Sequence, residues 1–296
     1  MALYGGIDAG GTKFACAVGT APDDIIAEAT IPTTTPDDTI TRTISFFRKF
    51  QSQVVAIGVG SFGPIDLDRS SETFGYITNT PKSGWAQTPI ICKLGRALNV
   101  PLVFDTDTNA AALGEAIWGI GKGLQTILYL TIGTGIGGGV VIDRKVLHGM
   151  LHPEIGHLRL PHDWKTDPFP GACPYHGDCL EGLASGPAVA KRWGTTAESL
   201  PSNHQAWSLE ATYLALALTN LILTLSPQRI ILGGGIMQRE TLFQSIRTRV
   251  KELLNGYVHA RQIEVSIEEY IVPPQLGQKA GVYGAIALAK GAPELG

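Results

Sequence analysis

The sequence predicts an α/β fold with two lobes, and three observations support this prediction. Strand and helix patterns alternate along all 296 residues, as expected where sheets and helices pack in layers. Each half of the chain opens with two strands joined by a glycine-rich turn, so the opening pattern repeats. The chain is 44% hydrophobic, which provides enough apolar material for a substantial core.

The elements of the first half follow from hydrophobic periodicity and from the residues that begin and end helices. Apolar runs bounded by turn residues predict strands at Leu3–Ile7, Lys13–Val18, Ile25–Ile31, Val54–Gly60 and Pro101–Asp105. Helical spacing and capping residues predict helices at Pro36–Phe50, Pro89–Leu98 and Thr108–Gly119.

The second half repeats this opening and then becomes richer in helix. Strands are expected at Thr126–Ile132, Gly139–Ile142, Arg229–Leu232 and Ile263–Ile267. An irregular region at 153–182 precedes helices that are expected at Ser208–Leu225, Gln238–Leu254 and Gly277–Lys290. Since no low-complexity linker marks a boundary, the repeat assigns residues 1–115 to the first lobe, completed by a helix within 280–296, and residues 116–279 to the second.

Composition and charge exclude several classes of protein. The net charge is −3 and Lys and Arg form no cluster, so we expect no binding to nucleic acid or to a membrane surface. No stretch approaches the roughly 20 apolar residues that span a bilayer, and the N-terminus lacks the basic segment of a secretory signal. The cysteines at 16, 92, 173 and 179 form no disulfide framework, which predicts a reducing, cytoplasmic location.

The glycine turn of the second half, between Thr131 and Gly139, is a candidate phosphate site. Glycine lets backbone N–H groups approach a phosphate closely, because it has no Cβ and tolerates positive φ. Gly133, Thr134 and Gly135 lie in this turn, and the strand that follows excludes a P-loop or a Rossmann turn, which lead into helices. The alternative is a glycine-rich hairpin without a ligand.

The turn of the first half adds a carboxylate and a lysine to the same arrangement. Asp8 could hold Mg²⁺ through water, and Gly10, Gly11 and Thr12, followed by Lys13, could contact the transferred phosphate. The alternative is an ordinary turn, in which Asp and Gly are common. Two such turns, one at the start of each half, would bind the phosphates of ATP from both sides.

A third glycine segment, made of Gly233, Gly234 and Gly235, follows a buried strand and precedes a helix. Without Cβ atoms, this segment would let a flat adenosine lie against its backbone. The alternative is a strand-to-helix turn with no ligand.

Asp107 is the candidate catalytic base. It follows an apolar strand and precedes an alanine-rich helix, and strand ends beside a crevice are common ligand sites in α/β folds. There its carboxylate could orient a sugar hydroxyl and accept the proton of that hydroxyl during phosphoryl transfer. In the alternative interpretation, Asp107 or Thr108 only caps the helix that follows.

The spacing of His157, Cys173, His176 and Cys179 predicts a metal site. Two thiolates and two imidazoles complete a tetrahedral zinc set and leave no position for an activated water, so the predicted zinc is structural. A metal would also replace the core that this irregular region lacks. The alternative is a loop in which these residues occur by chance.

Two glutamates lie next to these ligands in the sequence. Glu154 precedes His157 by three residues, and Glu181 follows Cys179 by two. A metal site would hold both carboxylates rigidly, as recognition of sugar hydroxyls requires. The alternative is that both are solvated loop residues, which is usual for Glu.

In combination these motifs resemble the ROK family (repressor, ORF, kinase), over nearly the whole chain. The resemblance rests on the segments Asp8–Lys13, Thr131–Gly139, Glu154–His157 and Cys179–Glu181. Within the family, Pro153–His157 and Cys173–Pro187 look most like the bacterial fructokinase branch.

Two positions depart from the pattern of many family members. Thr106 replaces an asparagine just before the base, which removes a sugar hydrogen bond and argues against glucose or an N-acetyl hexosamine as the main substrate. His176 takes the place of a third cysteine in the metal set. Both departures fit the fructokinase branch.

The resemblance implies the two-lobed actin/hexokinase-like ATPase fold, with duplicated ribonuclease H-like lobes. It implies that Asp107 is the base and that the glycine segments bind the phosphates and adenosine of ATP with Mg²⁺. The residues that it places near the sugar are Asn79, Glu154, His157 and Glu181. Homodimers are common in the family.

The sequence therefore predicts a cytoplasmic, ATP-dependent hexose kinase, with D-fructose the leading substrate and mannose or glucose next. A sugar-responsive repressor is the alternative from another class. Such relatives place a DNA-binding domain before the first glycine turn, whereas here that turn begins at Asp8. A catalytically inactive sugar or metal sensor is the third alternative, against which Asp107 and the two turns argue.

Overall fold

The computed structural model describes residues 2–291, and contacts within the chain divide it into two compact units. Among the described residues, the first unit combines 2–123, Arg144–His152 and 275–291. The second combines Leu124–Asp143 and Pro153–Pro274. The C-terminal segment thus groups with the N-terminal one, while the lobe boundary at residues 115 and 116 stays a prediction.

Strands and helices alternate in both units. The strands are β1 (Leu3–Ala9), β2 (Lys13–Gly19), β3 (Ile25–Pro32), β4 (Val54–Ser61), β5 (Leu102–Thr106), β6 (Thr126–Ile132), β7 (Ile136–Ile142), β8 (Lys145–Val146), β9 (Arg229–Gly233) and β10 (Ile271–Val272). The helices are α1 (Pro36–Arg48), α2 (Ile90–Leu98), α3 (Asp107–Ile117), α4 (Leu180–Ala184), α5 (Gly186–Trp193), α6 (Ala206–Leu225), α7 (Glu240–Leu254), α8 (Arg261–Glu264), α9 (Ile267–Tyr270) and α10 (Ala280–Lys290).

The sheet of the first unit has the strand order β3-β2-β1-β4-β5. Its first three strands are antiparallel neighbours, and β4 and β5 run parallel to β1. Apolar side chains of α1 and α2, including Phe47 and Leu94, form a core with the strands. Helices α3 and α10 pack on each other and on the strands. The strand register places Asp8 beside Gly60, and Gly60 beside Asp105.

The sheet of the second unit contains β10, β9, β6 and β7 in that order. Strands β6 and β7 form the predicted hairpin, and β9 runs parallel to β6 with Gly233 beside Thr131. Helix α6 packs on α7 and α4. This topology brings the ends of β6 and β9 together at one edge of the sheet.

Helix α6 is long and apolar enough to cross a membrane by length and composition alone. The expectation that no stretch approaches this length was therefore wrong. However, 56% of its apolar window is buried inside the protein. It packs as a core helix, because its buried residues include Trp207, Leu214 and Leu218.

The predicted elements are largely confirmed, with shifts of a few residues at their ends. The strand predicted at Ile263–Ile267 is wrong, since α8 and α9 occupy this segment and the strand follows at Ile271–Val272. Ile263 and Ile267 are four residues apart and both are buried. This spacing is found on one face of a helix as well as on one face of a strand. Helices α4 and α5 lie in and after the segment that was predicted to be irregular.

Candidate active site and metal centre

The first glycine turn joins β1 to β2 and is closed by a backbone hydrogen bond from Gly10 N to Lys13 O, 3.0 Å long. Thr33, just after β3, holds the turn from the side. Its hydroxyl donates to Gly10 O over 2.7 Å, and its N–H donates to Thr12 O over 2.9 Å. A Cβ added at Gly11 would meet nothing within 4 Å, so the space beside this part of the turn is open. The turn can therefore receive a ligand.

Asp8 lies on β1 just before this turn, beside the start of α10. A Cβ at Gly281 would come within 2.5 Å of the Asp8 carboxylate, so only glycine leaves room for it there. Burial, together with the negative charge of Asp107, raises the pKa of Asp8 to about 7, and the charge of Lys13 opposes that rise. A cation bound here would favour the ionised carboxylate.

Asp107 is the first residue of α3. The helix is capped by Thr106, whose hydroxyl accepts a hydrogen bond from Asn109 N over 3.0 Å. The cap is therefore Thr106, not Asp107 or Thr108. One oxygen of Asp107 accepts a hydrogen bond from Thr108 N over 2.8 Å, and the helix N-terminus favours a carboxylate at this position. Asp107 is thus not needed as the cap.

Gly60 on β4 brings the two carboxylates into one neighbourhood. It pairs with Asp8 in the sheet, and a Cβ at Gly60 would lie 3.2 Å from Asp107 Cα and 2.7 Å from Ala110 Cβ. Glycine here lets α3 begin directly over the strand ends. Within the first unit, the predicted magnesium-binding and base residues therefore lie close enough to interact electrostatically.

The segment that contains Asn79 is an irregular loop tied together by bridges between Ile65 and Ile77 and between Ile77 and Thr88. Asn79 is exposed. Trp85 is fully buried, and its indole N–H donates to Thr34 O over 2.8 Å. Trp85 thus supports the core, while the sugar contact of Asn79 stays a prediction.

The second glycine turn joins β6 to β7, with Thr131 beside Gly137 in the register. Gly133 N donates to Gly135 O over 2.9 Å, which closes a tight turn with Thr134 exposed at its tip. Thr134 and its neighbours therefore present hydroxyl and backbone groups at the end of the hairpin, as phosphate binding requires.

The third glycine segment lies against this turn. A Cβ at Gly234 would approach the backbone of Ile132 within 2.3 Å, and Gly234 has a φ of +93°. A Cβ at Gly133 would lie 3.9 Å from Gly235 N. The predicted adenosine and phosphate segments of the second unit are therefore adjacent, as one nucleotide would require.

The two glutamates occupy different environments. Glu154 is exposed and precedes the short 3-10 helix Ile155–His157. Glu181 lies in α4, and its Oε2 accepts a hydrogen bond from Ile136 N over 2.9 Å. One oxygen of Glu181 thus contacts the second glycine turn, and the sugar contacts of both glutamates stay predictions.

The four predicted metal ligands lie together in the second unit, with their ligand atoms within 4.8 Å of one another. The Nδ1 of His157 lies 3.3 Å from Nδ1 of His176, 3.5 Å from Sγ of Cys179 and 3.8 Å from Sγ of Cys173. A tetrahedron with ordinary Zn–N and Zn–S bonds has edges of about 3.3–3.8 Å. The residues present therefore fit a zinc ion in distance and in chemistry.

Cys179 is the most deeply buried of these ligands. Burial raises the pKa of its thiol to about 11, so the thiolate that binds a metal is disfavoured until the ion is there. Binding would release this proton, and folding and metal binding would be coupled.

Sequence reasoning missed the polar network that supports the metal loop. Arg159 pairs with Asp178, whose carboxylate also meets the buried ring of His162 over 3.2 Å. The Nε2 of His162 lies 2.9 Å from the carbonyl oxygen of Asp167. The Asp167 carboxylate accepts hydrogen bonds from Arg192 of α5 over 3.2 Å and from Tyr213 of α6 over 2.6 Å, so the network joins the loop to both helices. Only the adjacency of Asp178 to Cys179 signalled any of it.

Comparison with known proteins gives consistent results. The family model described as "ROK family" matches residues 4–292. The fructokinase of Zymomonas mobilis is 43% identical over 97% of this chain and 96% of its own length. The fructokinase of Pediococcus pentosaceus is 42% identical over 98% of both chains.

A solved structure shows the same fold. It is a ROK family glucokinase from Streptomyces griseus in complex with glucose and AMPPNP, with a TM-score of 0.77. The likeness covers 97% of this chain and 99% of that one, at 26% identity. This similarity and the two sheets described above confirm the predicted α/β fold of the actin/hexokinase-like ATPase class.

Proposed function

Because the chain belongs to the ROK family, we propose that it transfers the γ-phosphoryl group of ATP to D-fructose and forms fructose 6-phosphate. The enzyme is a sugar kinase, a phosphotransferase with an alcohol acceptor. Fructokinases that are 42% and 43% identical over nearly the whole chain favour fructose as that acceptor.

The observation that carries this proposal is the placement of Asp107. Its carboxylate starts a helix that Thr106 already caps, and it lies near enough to Asp8 to raise the pKa of that residue. We assign to Asp107 the role of base, which orients the sugar hydroxyl and accepts its proton as phosphoryl transfer proceeds. Its helix-terminal backbone gives it a fixed position.

We assign nucleotide binding to the glycine segments. Gly10, Gly11, Thr12 and Lys13 would contact the transferred phosphate, and Asp8 would hold Mg²⁺ through water. In the second unit, the residues assigned to phosphates and adenosine are Thr131, Gly133, Thr134, Gly135, Gly233, Gly234 and Gly235. When Mg²⁺ is bound, it neutralises the negative charge that develops on the phosphate oxygens during transfer.

We propose that zinc occupies the His157, Cys173, His176 and Cys179 cluster. Four protein ligands saturate a tetrahedral ion, so its role would be structural, and it would supply no activated water. The ion would fix the two segments that carry Glu154 and Glu181, since His157 and Cys179 lie next to them in the sequence. We assign these two carboxylates, with Asn79 and His157, to the sugar site.

Glucose is the second candidate substrate, because the Streptomyces griseus relative is a glucokinase that binds it, and mannose is the third. Thr106 in place of an asparagine favours fructose over glucose. We also propose a homodimer, as the family resemblance implies. A cytoplasmic location would provide ATP and the reducing conditions that keep the metal-binding thiols free.

A coupled ADP-release assay tests the proposed function. Purified protein with Mg-ATP is offered fructose, mannose, glucose, allose and N-acetyl hexosamines in parallel. We expect the highest kcat/KM with fructose. Higher kcat/KM with glucose would reassign the substrate, and no ADP release with any hexose would overturn the kinase assignment.

A further inference from the structure

The second glycine turn is held at both of its ends by the segment that follows metal ligand Cys179. At the start of the turn, Gly133 O accepts a hydrogen bond from Gly186 N over 2.7 Å. At its end, Ile136 N donates to Glu181 Oε2 over 2.9 Å. Helices α4 and α5 therefore bind the turn at two points, three residues apart.

The same end of the turn is also packed from the other side. A Cβ at Gly156 would lie 1.8 Å from the carbonyl oxygen of Ile136, so the Gly156 backbone packs directly against that oxygen. Gly156 directly precedes His157, whose Nδ1 lies 3.5 Å from Sγ of Cys179. Both polar backbone atoms of Ile136 are thus contacted by segments that carry a metal ligand.

We propose that Glu181 is a positioning residue that sets the conformation of the nucleotide-binding turn through the N–H of Ile136. This inference rests on the proposed function, in which residues 131–135 bind the phosphates of ATP. It differs from the sugar contact assigned to Glu181, because a sugar contact affects the affinity for fructose, whereas support of the turn affects the affinity for the nucleotide.

The electrostatics of the turn make this role specific. Glu181 Oε2 would lie 2.8 Å from a Cβ at Gly135, so the carboxylate is in close contact with the turn. A negative charge near a phosphate site repels the phosphates, so the stabilisation that Glu181 gives to the turn has to offset this repulsion. A carboxylate that accepts a backbone N–H makes a stronger hydrogen bond than a neutral group, and this bond is the stabilisation that the structure offers.

The test is the affinity of the zinc-loaded full-length protein for Mg-ADP, measured by isothermal titration calorimetry without sugar. Glu181→Ala removes the acceptor, and Glu181→Asp shortens it by one methylene. We expect either change to raise the Kd for Mg-ADP by about tenfold, as loss of one charge-assisted hydrogen bond implies. Glu181→Gln keeps an acceptor oxygen, and its Kd should stay within about threefold of wild type.

Glu198→Ala, which removes an exposed carboxylate from the same unit, is the matched control and should leave the Kd unchanged. The inference is overturned if Glu181→Asp binds Mg-ADP as tightly as wild type, including the case in which only the KM for fructose rises. If Glu181→Ala fails to fold, the comparison of Glu181→Asp with Glu181→Gln decides. Wild-type protein that binds no Mg-ADP would overturn the proposed function itself.

Discussion

The Nε2 atom of His148 lies 3.0 Å from the Oδ2 atom of Asp105, two residues before the proposed base Asp107. The other carboxylate oxygen of Asp105 accepts hydrogen bonds from Thr106 N over 2.8 Å and from Asn109 Nδ2 over 2.6 Å. The buried Asp105 carboxylate thus joins the end of β5, the first turn of α3 and His148. It fixes the backbone from which Asp107 projects.

This pair predicts a pH-dependent contribution to stability. Hydrogen bonding to Asp105 raises the pKa of His148 above its ordinary value of 6.5 in the folded protein. The contribution is therefore fully present below pH 6.5 and is lost as the pH rises through the folded pKa.

His148→Gln should lower the melting temperature more at about pH 5.5 than at about pH 8.5. The effect should be modest, because the His148 side chain is 41% exposed. A drop in melting temperature that is equal at both pH values would contradict this assignment.

Asp107→Asn should lower kcat by about 10³-fold, because the amide cannot accept the proton of the sugar hydroxyl. The amide oxygen can still accept the hydrogen bond from Thr108 N, so the helix should remain intact. The measurement is steady-state ADP release, with the Kd for Mg-ADP as the check on folding. Asp23→Asn, at an exposed carboxylate of the same unit, is the control. Undiminished kcat in Asp107→Asn would refute the role of base.

Gly234→Ala should destabilise the protein by about 2–4 kcal/mol, since it combines an unfavourable positive φ with a clash against the backbone of Ile132. Gly235→Ala is the matched control for stability, because a Cβ there would meet nothing within 4 Å and its φ is −63°. Chemical denaturation of both variants gives the comparison. Equal stability of the two variants would show that the close packing of this segment is not required.

Purified, active protein should contain about one zinc ion per chain. Cys179→Ser should lose the metal and lower the melting temperature, because the cluster is left with three of its four ligands. Cys92→Ser, at an exposed cysteine, should keep the metal. Elemental analysis measures the stoichiometry, and less than half a zinc per chain in active wild-type protein would count against a structural metal.

The sequence was sufficient for most of the strands, for the glycine turns and for the metal cluster. Short motifs such as the one from Cys173 to Cys179 carry their geometry locally, because few residues separate the ligands. The error at Ile263–Ile267 had a physical cause, since the apolar residues at 263, 265 and 267 alternate as in a strand, while 263 and 267 also have the spacing of a helical turn. In the structure both isoleucines are buried and Val265 between them is exposed, which fits the helical spacing and not the alternation of a strand.

The missed features depend on contacts between residues distant in sequence. Nothing in the local pattern indicates that His148 meets Asp105 or that Glu181 meets Ile136. The cap at Thr106 was different, because threonine is a favoured residue at the N-cap of a helix. The sequence could therefore have indicated that Thr106 caps α3 by accepting a hydrogen bond from Asn109 N. The other missed features depend on tertiary contacts and not on local secondary-structure propensity.

The most direct test of phosphoryl transfer to fructose is the product balance in one reaction of the wild-type enzyme with Mg-ATP and D-fructose. Phosphorus NMR follows ADP and sugar phosphate together. The assigned chemistry predicts that fructose 6-phosphate and ADP form in equal amounts, and that Asp107→Asn forms neither at a comparable rate. Release of ADP and inorganic phosphate without any sugar phosphate would contradict it.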